Sequence, residues 1–262
     1  AQSTVLSRMS PAFEGLVSGN FVTTGNTVLT CSTSSKKRNA ASCTDARSRT
    51  GSLLDNDDFS MVHVKESFGS LSSTKYFNAT SAELVIPATA VVKHATLFWS
   101  GSMRLDSGDT PANDSSKKNQ VLLSVGNENC SLAGNPCLTT AIASDLYQVD
   151  QGTKLGPYRA SADVTTKLSS QTLPWTVSGP DKSLQLSVAN IQTTLGVNKS
   201  AGWSVMVVYE TADELPHYIK ILKGMAYESS LKDDEFRFED FESAASGDVL
   251  SEVGLFLLDG DL

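Results

Sequence analysis

Apolar and polar side chains alternate along most of the chain, the pattern of strands with one buried face. The alternation predicts strands at residues 26–31, 60–67, 81–87, 94–102, 120–126, 183–192, 203–210 and 217–229, each bounded by Gly, Pro, Asn, Asp or Ser. A further apolar stretch, residues 252–258, also has strand character. In WSVMVVYE at 203–210, Trp203, Val205, Val207 and Tyr209 project to one face and Ser204, Met206, Val208 and Glu210 to the other. Both faces are rich in apolar groups, so this strand belongs mid-sheet, with its second face at least partly covered. Helical spacing is confined to residues 160–170, where Ala162, Val164 and Leu168 share a face, and to residues 140–149. Strands at this density without long helices between them predict an all-β fold. The expected architecture is an antiparallel β-sandwich or jelly roll with one or two short connecting helices.

With 262 residues, 40% hydrophobic and 19% charged, the chain can build a sizeable core, and a β-sandwich of that length is expected as one domain over residues 1–262. The polar segment 104–118 lies between two predicted strands and reads as an exposed hairpin loop. A net charge of -8 with scattered Lys and Arg would repel a phosphate backbone, so nucleic acid is not an expected partner. No apolar run approaches the ~20 residues of a membrane-spanning helix. The first residues lack the apolar segment of a signal peptide, and an Ala-Gln-Ser start suits a mature end.

Four cysteines bracket two polar loops: Cys31 with Cys43 and Cys130 with Cys137. Local pairing would staple each loop, which suits an oxidising, extracellular compartment. A four-cysteine zinc site is the rival, but the 11 residues between Cys31 and Cys43 fit poorly with the short knuckles such a site uses.

Catalytic motifs are scarce. The three histidines, His63, His94 and His217, accompany no Gly-x-Ser-x-Gly elbow, no His-Glu-x-x-His and no glycine-rich phosphate loop. Acidic clusters at 55–58, 232–242 and 259–262 raise the possibility of paired glycosidase carboxylates, which would have to face each other across a cleft at ~5–9.5 Å. Calcium is an alternative use for them: Asp55, Asn56, Asp57 and Asp58 place hard oxygen ligands in one short loop, and Asp259 and Asp261 would complete a site if the fold joined them. A solvated acidic turn explains the same residues. For a saccharide platform the candidate exposed aromatics are Trp175, between Pro174 and Gly179, and Tyr158, after Gly156-Pro157.

Several blocks, in order along the chain, resemble one family: GNTVLTC at 25–31, DNDDFSMVHV at 55–64, SAELVIPATAVVKHATLFWSGS at 81–102, ASADVTTKL at 160–168, VANIQTTLGVNKSAGWSVMVVYE at 188–210 and FEDFESAASGDV at 238–249. Together they are similar to the N-terminal β-rich domain of large actinobacterial, cell-wall-anchored surface proteins that carry immunoglobulin-like repeats. The chain departs from that pattern at TTLGVNKS, where a glycine-rich run is usual, and in its own loop at 104–120. The resemblance implies a secreted, non-enzymatic domain at the cell wall, the adhesive head of an adhesin. Its expected partners are a host or neighbouring-cell protein or glycan and further domains of the same chain, which would continue beyond residue 262. A structural stalk module without a ligand and a β-sandwich carbohydrate-active enzyme are the alternatives.

Overall fold

Long antiparallel pairings dominate the computed structural model, which describes residues 4–33, 42–48, 56–69, 71–126, 138–151, 154–170, 173–227, 246 and 251–257. In chain order the strands are β1 (Thr4–Thr27), β2 (Leu29–Cys31), β3 (Ser60–His63), β4 (Ala79–Pro87), β5 (Val91–Gly101), β6 (Gln120–Val125) and β7 (Leu138–Ile142). They continue with β8 (Asp145–Gln151), β9 (Lys154–Asp163), β10 (Thr176–Ser178), β11 (Asp181–Ala189), β12 (Gly196–Val197), β13 (Ala201–Glu210) and β14 (Pro216–Tyr227). Two short helices, α1 (Cys43–Ser48) and α2 (Thr165–Leu168), complete the regular structure besides two 3-10 turns.

The strands form a sandwich. One sheet has the order β14-β1-β13-β5-β9-β8; the other runs β10-β11-β6-β7 with β4 also on β11; β12-β3-β2 make a small third sheet. Leu97, Trp99, Ala160, Trp203, Val205 and Val207 of the first sheet meet Leu84, Leu123, Leu184, Leu186 and Val188 of the second in one buried core. Full burial of such side chains stabilises by roughly 1.5–3 kcal/mol each. The two indoles that enter the core keep their N–H groups bonded: Trp203 Nε1 donates to Thr80 Oγ1 at 2.9 Å and Trp99 Nε1 to the Lys118 carbonyl at 2.9 Å.

β13 has the two-faced character its sequence predicts. Trp203, Val205, Val207 and Tyr209 enter the main core, while Met206 and Val208 join a second cluster with Val17, Phe98, Ile219 and Ile221. That second face is covered because β1 changes partner: its residues 4–18 pair with β14 and its residues 19–27 pair with β13. Polar contacts hold β14 to the sheet edge, with Asp145 of β8 paired to Lys223 at 3.2 Å and to Arg159 at 2.5 Å. Across to the second sheet, β1 side chains serve carbonyls of β4: Thr24 Oγ1 donates to Glu83 O at 2.9 Å and Asn26 Nδ2 to Ser81 O at 2.8 Å. A sheet edge is thereby satisfied by side chains instead of a further strand.

Four expectations change. Of residues 160–170 only Thr165–Leu168 are helical, because 160–163 complete β9 and place Ala162 in a strand. Residues 140–149 are the two strands β7 and β8 with Ala143 and Ser144 between them, not a helix. The turn is fixed by Ala143 N donating to Asn119 O at 2.8 Å and Ser144 N to Ser161 O at 2.8 Å, long-range bonds that override the weak local helical pattern. β1 runs 24 residues, far beyond its predicted portion. Its glycines look like breaks, yet at Gly19 and Gly25 an added Cβ would lie 2.0 Å from Tyr209 O and 2.2 Å from Trp203 O, so close strand approach requires glycine there. Residues 251–257 form no ladder: Phe256 packs on Phe98 at 6.2 Å between ring centroids, while Val253, Leu255 and Leu257 point outward.

Candidate functional site

Where β11 ends, Asn190, Ile191 and Gln192 fasten three separate segments together. Asn190 sits in the left-handed region at φ 67°, a conformation Asn tolerates better than most residues. Its Oδ1 accepts from Phe77 N at 3.1 Å and its Nδ2 donates to Lys75 O at 3.4 Å. Asn78, fully buried, closes a two-point clasp on Ile191, accepting from its N at 3.0 Å and donating to its O at 2.8 Å. Gln192 Oε1 accepts from Asp114 N at 2.8 Å, and the Gln192 carbonyl accepts from Tyr158 Oη at 3.0 Å.

These bonds shape a groove of about 400 Å3 at one end of the second sheet. One wall is Thr74, Lys75, Tyr76 and Phe77, the opposite rim is Asn113, Asp114 and Lys117, and the floor is Gln120, Val121 and Leu122 of β6 with Thr140 of β7. Tyr76 is held by Phe68 at 5.7 Å and by the Lys65 ammonium 5.3 Å from its ring; Phe77 packs on His63 at 5.2 Å. Burial, reinforced by Lys65, lowers the His63 imidazole to about 4, so it is neutral near pH 7.

The charged groups differ in how far they are engaged. Asp114 Oδ1 accepts from Ser116 N at 3.1 Å and Ser116 Oγ at 2.6 Å, and its Oδ2 pairs with Lys117 at 3.3 Å. The Ser116 hydroxyl and then Lys117 hold this carboxyl below its ordinary range. Lys75 is exposed and has no carboxylate partner among the described residues.

The segment expected as an exposed hairpin loop, residues 104–118, is largely exposed, but it joins β5 and β6 of different sheets and is anchored. Thr110 and Leu195 exchange backbone bonds of 2.9 Å each way, and the buried ammonium of Lys199 pairs with Asp109 at 2.8 Å and Asp106 at 3.6 Å. Asp109 in turn occupies space that any side chain at position 196 would need: a Cβ on Gly196 would lie 2.0 Å from its Oδ1. Lys154 first, then Arg104, hold Asp106 down to about 2. This anchoring sets the position of Asn113, Asp114 and Lys117.

The structure disperses the other sequence candidates. Tyr158 is buried, not exposed, so it makes no aromatic pair with Trp175 at the surface. From β9 it stands opposite Gly101 of β5, and burial raises its hydroxyl above the ordinary tyrosine range. Pro157 is accommodated because the β8–β9 pairing shifts register between Gln148 and Asp150, beside it, as an irregular ladder permits. Trp175 is half-buried against the main core with Lys182 Nζ 5.1 Å from its ring centroid. Its neighbours Pro174 and Thr176 border a second, larger groove of about 660 Å3 with Ser81, Glu83, Ser183 and Gln185.

Cys31 and Cys43 form a disulfide with Cα atoms 5.6 Å apart, whereas Cys130 and Cys137 lie outside the described residues. Asn56, Asp57 and Asp58 form a 3-10 turn, and the Asn56 carbonyl accepts from Phe59 N at 3.4 Å and Asn198 N at 3.2 Å. Asp55, Asp259 and Asp261 fall outside the described residues, and no group of three or more metal-ligating side chains occurs within them. No helix among the described residues is long and apolar enough to cross a membrane.

An all-β sandwich with a polar groove at one end is the class that the fold and the site define. Comparison with protein-family models, with curated proteins and with solved structures gives no match.

Proposed function

We propose that this chain is a non-enzymatic extracellular recognition domain, the adhesive head of a wall-anchored surface protein, and that its end groove binds a glycan. The observation that supports this most is that the groove is braced from within the chain: hydrogen bonds of Asn190, Asn78 and Gln192 tie its three segments to one another. Preorganisation lowers the ordering cost of binding. The half-buried Phe77 offers an apolar patch, and Asn113, Gln120 and Thr140 line the same space. Such a mixture, in a volume within the ~300–1,000 Å3 range of small-ligand sites, suits the hydroxyls and apolar faces of a sugar. The Cys31–Cys43 disulfide suits an oxidising compartment. The sequence resemblance to actinobacterial surface proteins agrees with placement at the cell wall.

A panel of immobilised glycans and matrix proteins, read with and without chelator, tests the proposal; the chelator arm separates any calcium contribution from the acidic turn. Thr140→Trp, an exposed change on the groove floor, is expected to abolish glycan capture at unchanged melting temperature. Absence of glycan binding by the unaltered chain, or full binding by Thr140→Trp, overturns the proposal.

A further inference from the structure

We infer that the sugar taken by this groove is acidic and that Lys75 is the counter-ion of its anionic group. This rests on the groove being a glycan site. Two lysines and one aspartate line the groove, which is therefore locally positive on a chain whose net charge is -8. The aspartate does not cancel Lys75. Both Asp114 oxygens are already engaged, Oδ1 by Ser116 and Oδ2 by Lys117, so the Asp114–Lys117 pair is internally neutral. Lys75 is left as the groove's uncompensated charge, and its backbone carbonyl is fixed by the Asn190 carboxamide.

The polar side chains around it, Asn113, Gln120 and Thr140, carry N–H or O–H donors as well as acceptors. The Asn113 carboxamide and the Thr140 hydroxyl are exposed, and with Gln120 they have no intramolecular hydrogen bond among the described residues. An ammonium beside amide and hydroxyl donors matches a carboxylate or sulfate on a sugar ring, with the neighbouring hydroxyls taking the amides. A neutral sugar would leave the ammonium without a charged partner. The acidic surface elsewhere selects against extended polyanions, so a single acidic residue in an otherwise neutral saccharide fits better than a highly charged polymer.

The test titrates the whole chain with an oligosaccharide carrying one uronate, with its carboxyl-reduced neutral counterpart and with a monosulfated oligosaccharide of the same length. At least one acidic form is expected to bind about tenfold more tightly than the neutral one, the scale of one charge-assisted hydrogen bond. The arm that shows the preference names the anion. Lys75→Gln should erase the preference and Lys75→Glu should reverse it, with melting temperatures unchanged because the side chain is exposed. Equal affinity for acidic and neutral forms, or a preference that survives Lys75→Gln, overturns the inference while leaving the glycan site standing. Failure of all three sugars to bind tells against the site itself.

Discussion

Asn190 shows how much one side chain does here, because its backbone conformation and its carboxamide are both used. Asn190→Gly keeps the left-handed backbone at no steric cost but removes the bonds to Phe77 N and Lys75 O. A loss of about 1 kcal/mol is expected. Asn190→Ala adds strain at φ 67°, raising the loss to roughly 2–3 kcal/mol. Urea unfolding of the two variants checks the order, and equal stabilities would show that the conformation is not under strain. His63 gives a pH signature. Burial lowers its imidazole to about 4, whereas an unfolded chain protonates near 6.5. As the pH falls from about 6.5 to 4, the unfolded state takes up a proton that the folded state refuses, so stability falls; below 4 this contribution levels off. His63→Gln is expected to flatten the curve in that window. It should leave the acid limb below 4, where Asp106, held at about 2, loses its ion pairs on protonation. Melting temperatures measured across pH separate the two windows. Neither Asn190 nor His63 declared its role in the sequence: Asn190 belonged to a recognisable block, VANIQ, but its partners Phe77 and Lys75 lie 113 and 115 residues away in the chain.

Strands with ordinary alternation were legible, and β13 was legible down to its two faces, because a period of two reports burial directly. β1 was not. Gly15, Gly19 and Gly25 look like turn residues, and the reason for two of them is visible only across the ladder. Gly25→Ala places a Cβ against Trp203 O within the β1–β13 pairing, where backbone has to shift. A destabilisation of about 3 kcal/mol or more is expected by thermal unfolding; an unaffected melting temperature would remove the close-approach explanation. Tyr158 is buried where its sequence suggests exposure, for a related reason: Pro157 lies beside a register shift that local sequence does not reveal. The segment 104–118 is as exposed as its composition suggests, but its anchoring was not legible, because Lys199 comes from far along the chain. Lys199→Met leaves Asp109 buried without its ammonium and should cost about 3–5 kcal/mol. The Lys199→Met/Asp109→Asn double variant should recover part of that loss, and no recovery would mean that the pair is not what holds the segment.

At the scale of the molecule, the sandwich is a rigid support and the groove is the place where three loops converge on its end. The architecture was accessible from composition and alternation, because no long helix interrupts the strands and both features are local. The groove was not, because it is assembled from residues 74–77, 113–122, 140 and 190–192, whose proximity only the completed fold creates. Trp175 was a reasonable candidate by composition, yet it lies half-buried beside a different groove. The two grooves therefore offer a direct comparison. Amide NMR of the isotope-labelled chain, titrated with the tightest glycan from the panel, should shift Thr74–Phe77, Asn113–Lys117, Gln120–Leu122 and Asn190–Gln192 together, at one common dissociation constant. Shifts gathered instead at Ser81, Glu83, Ser183 and Gln185, around Trp175, would contradict the end groove as the binding site.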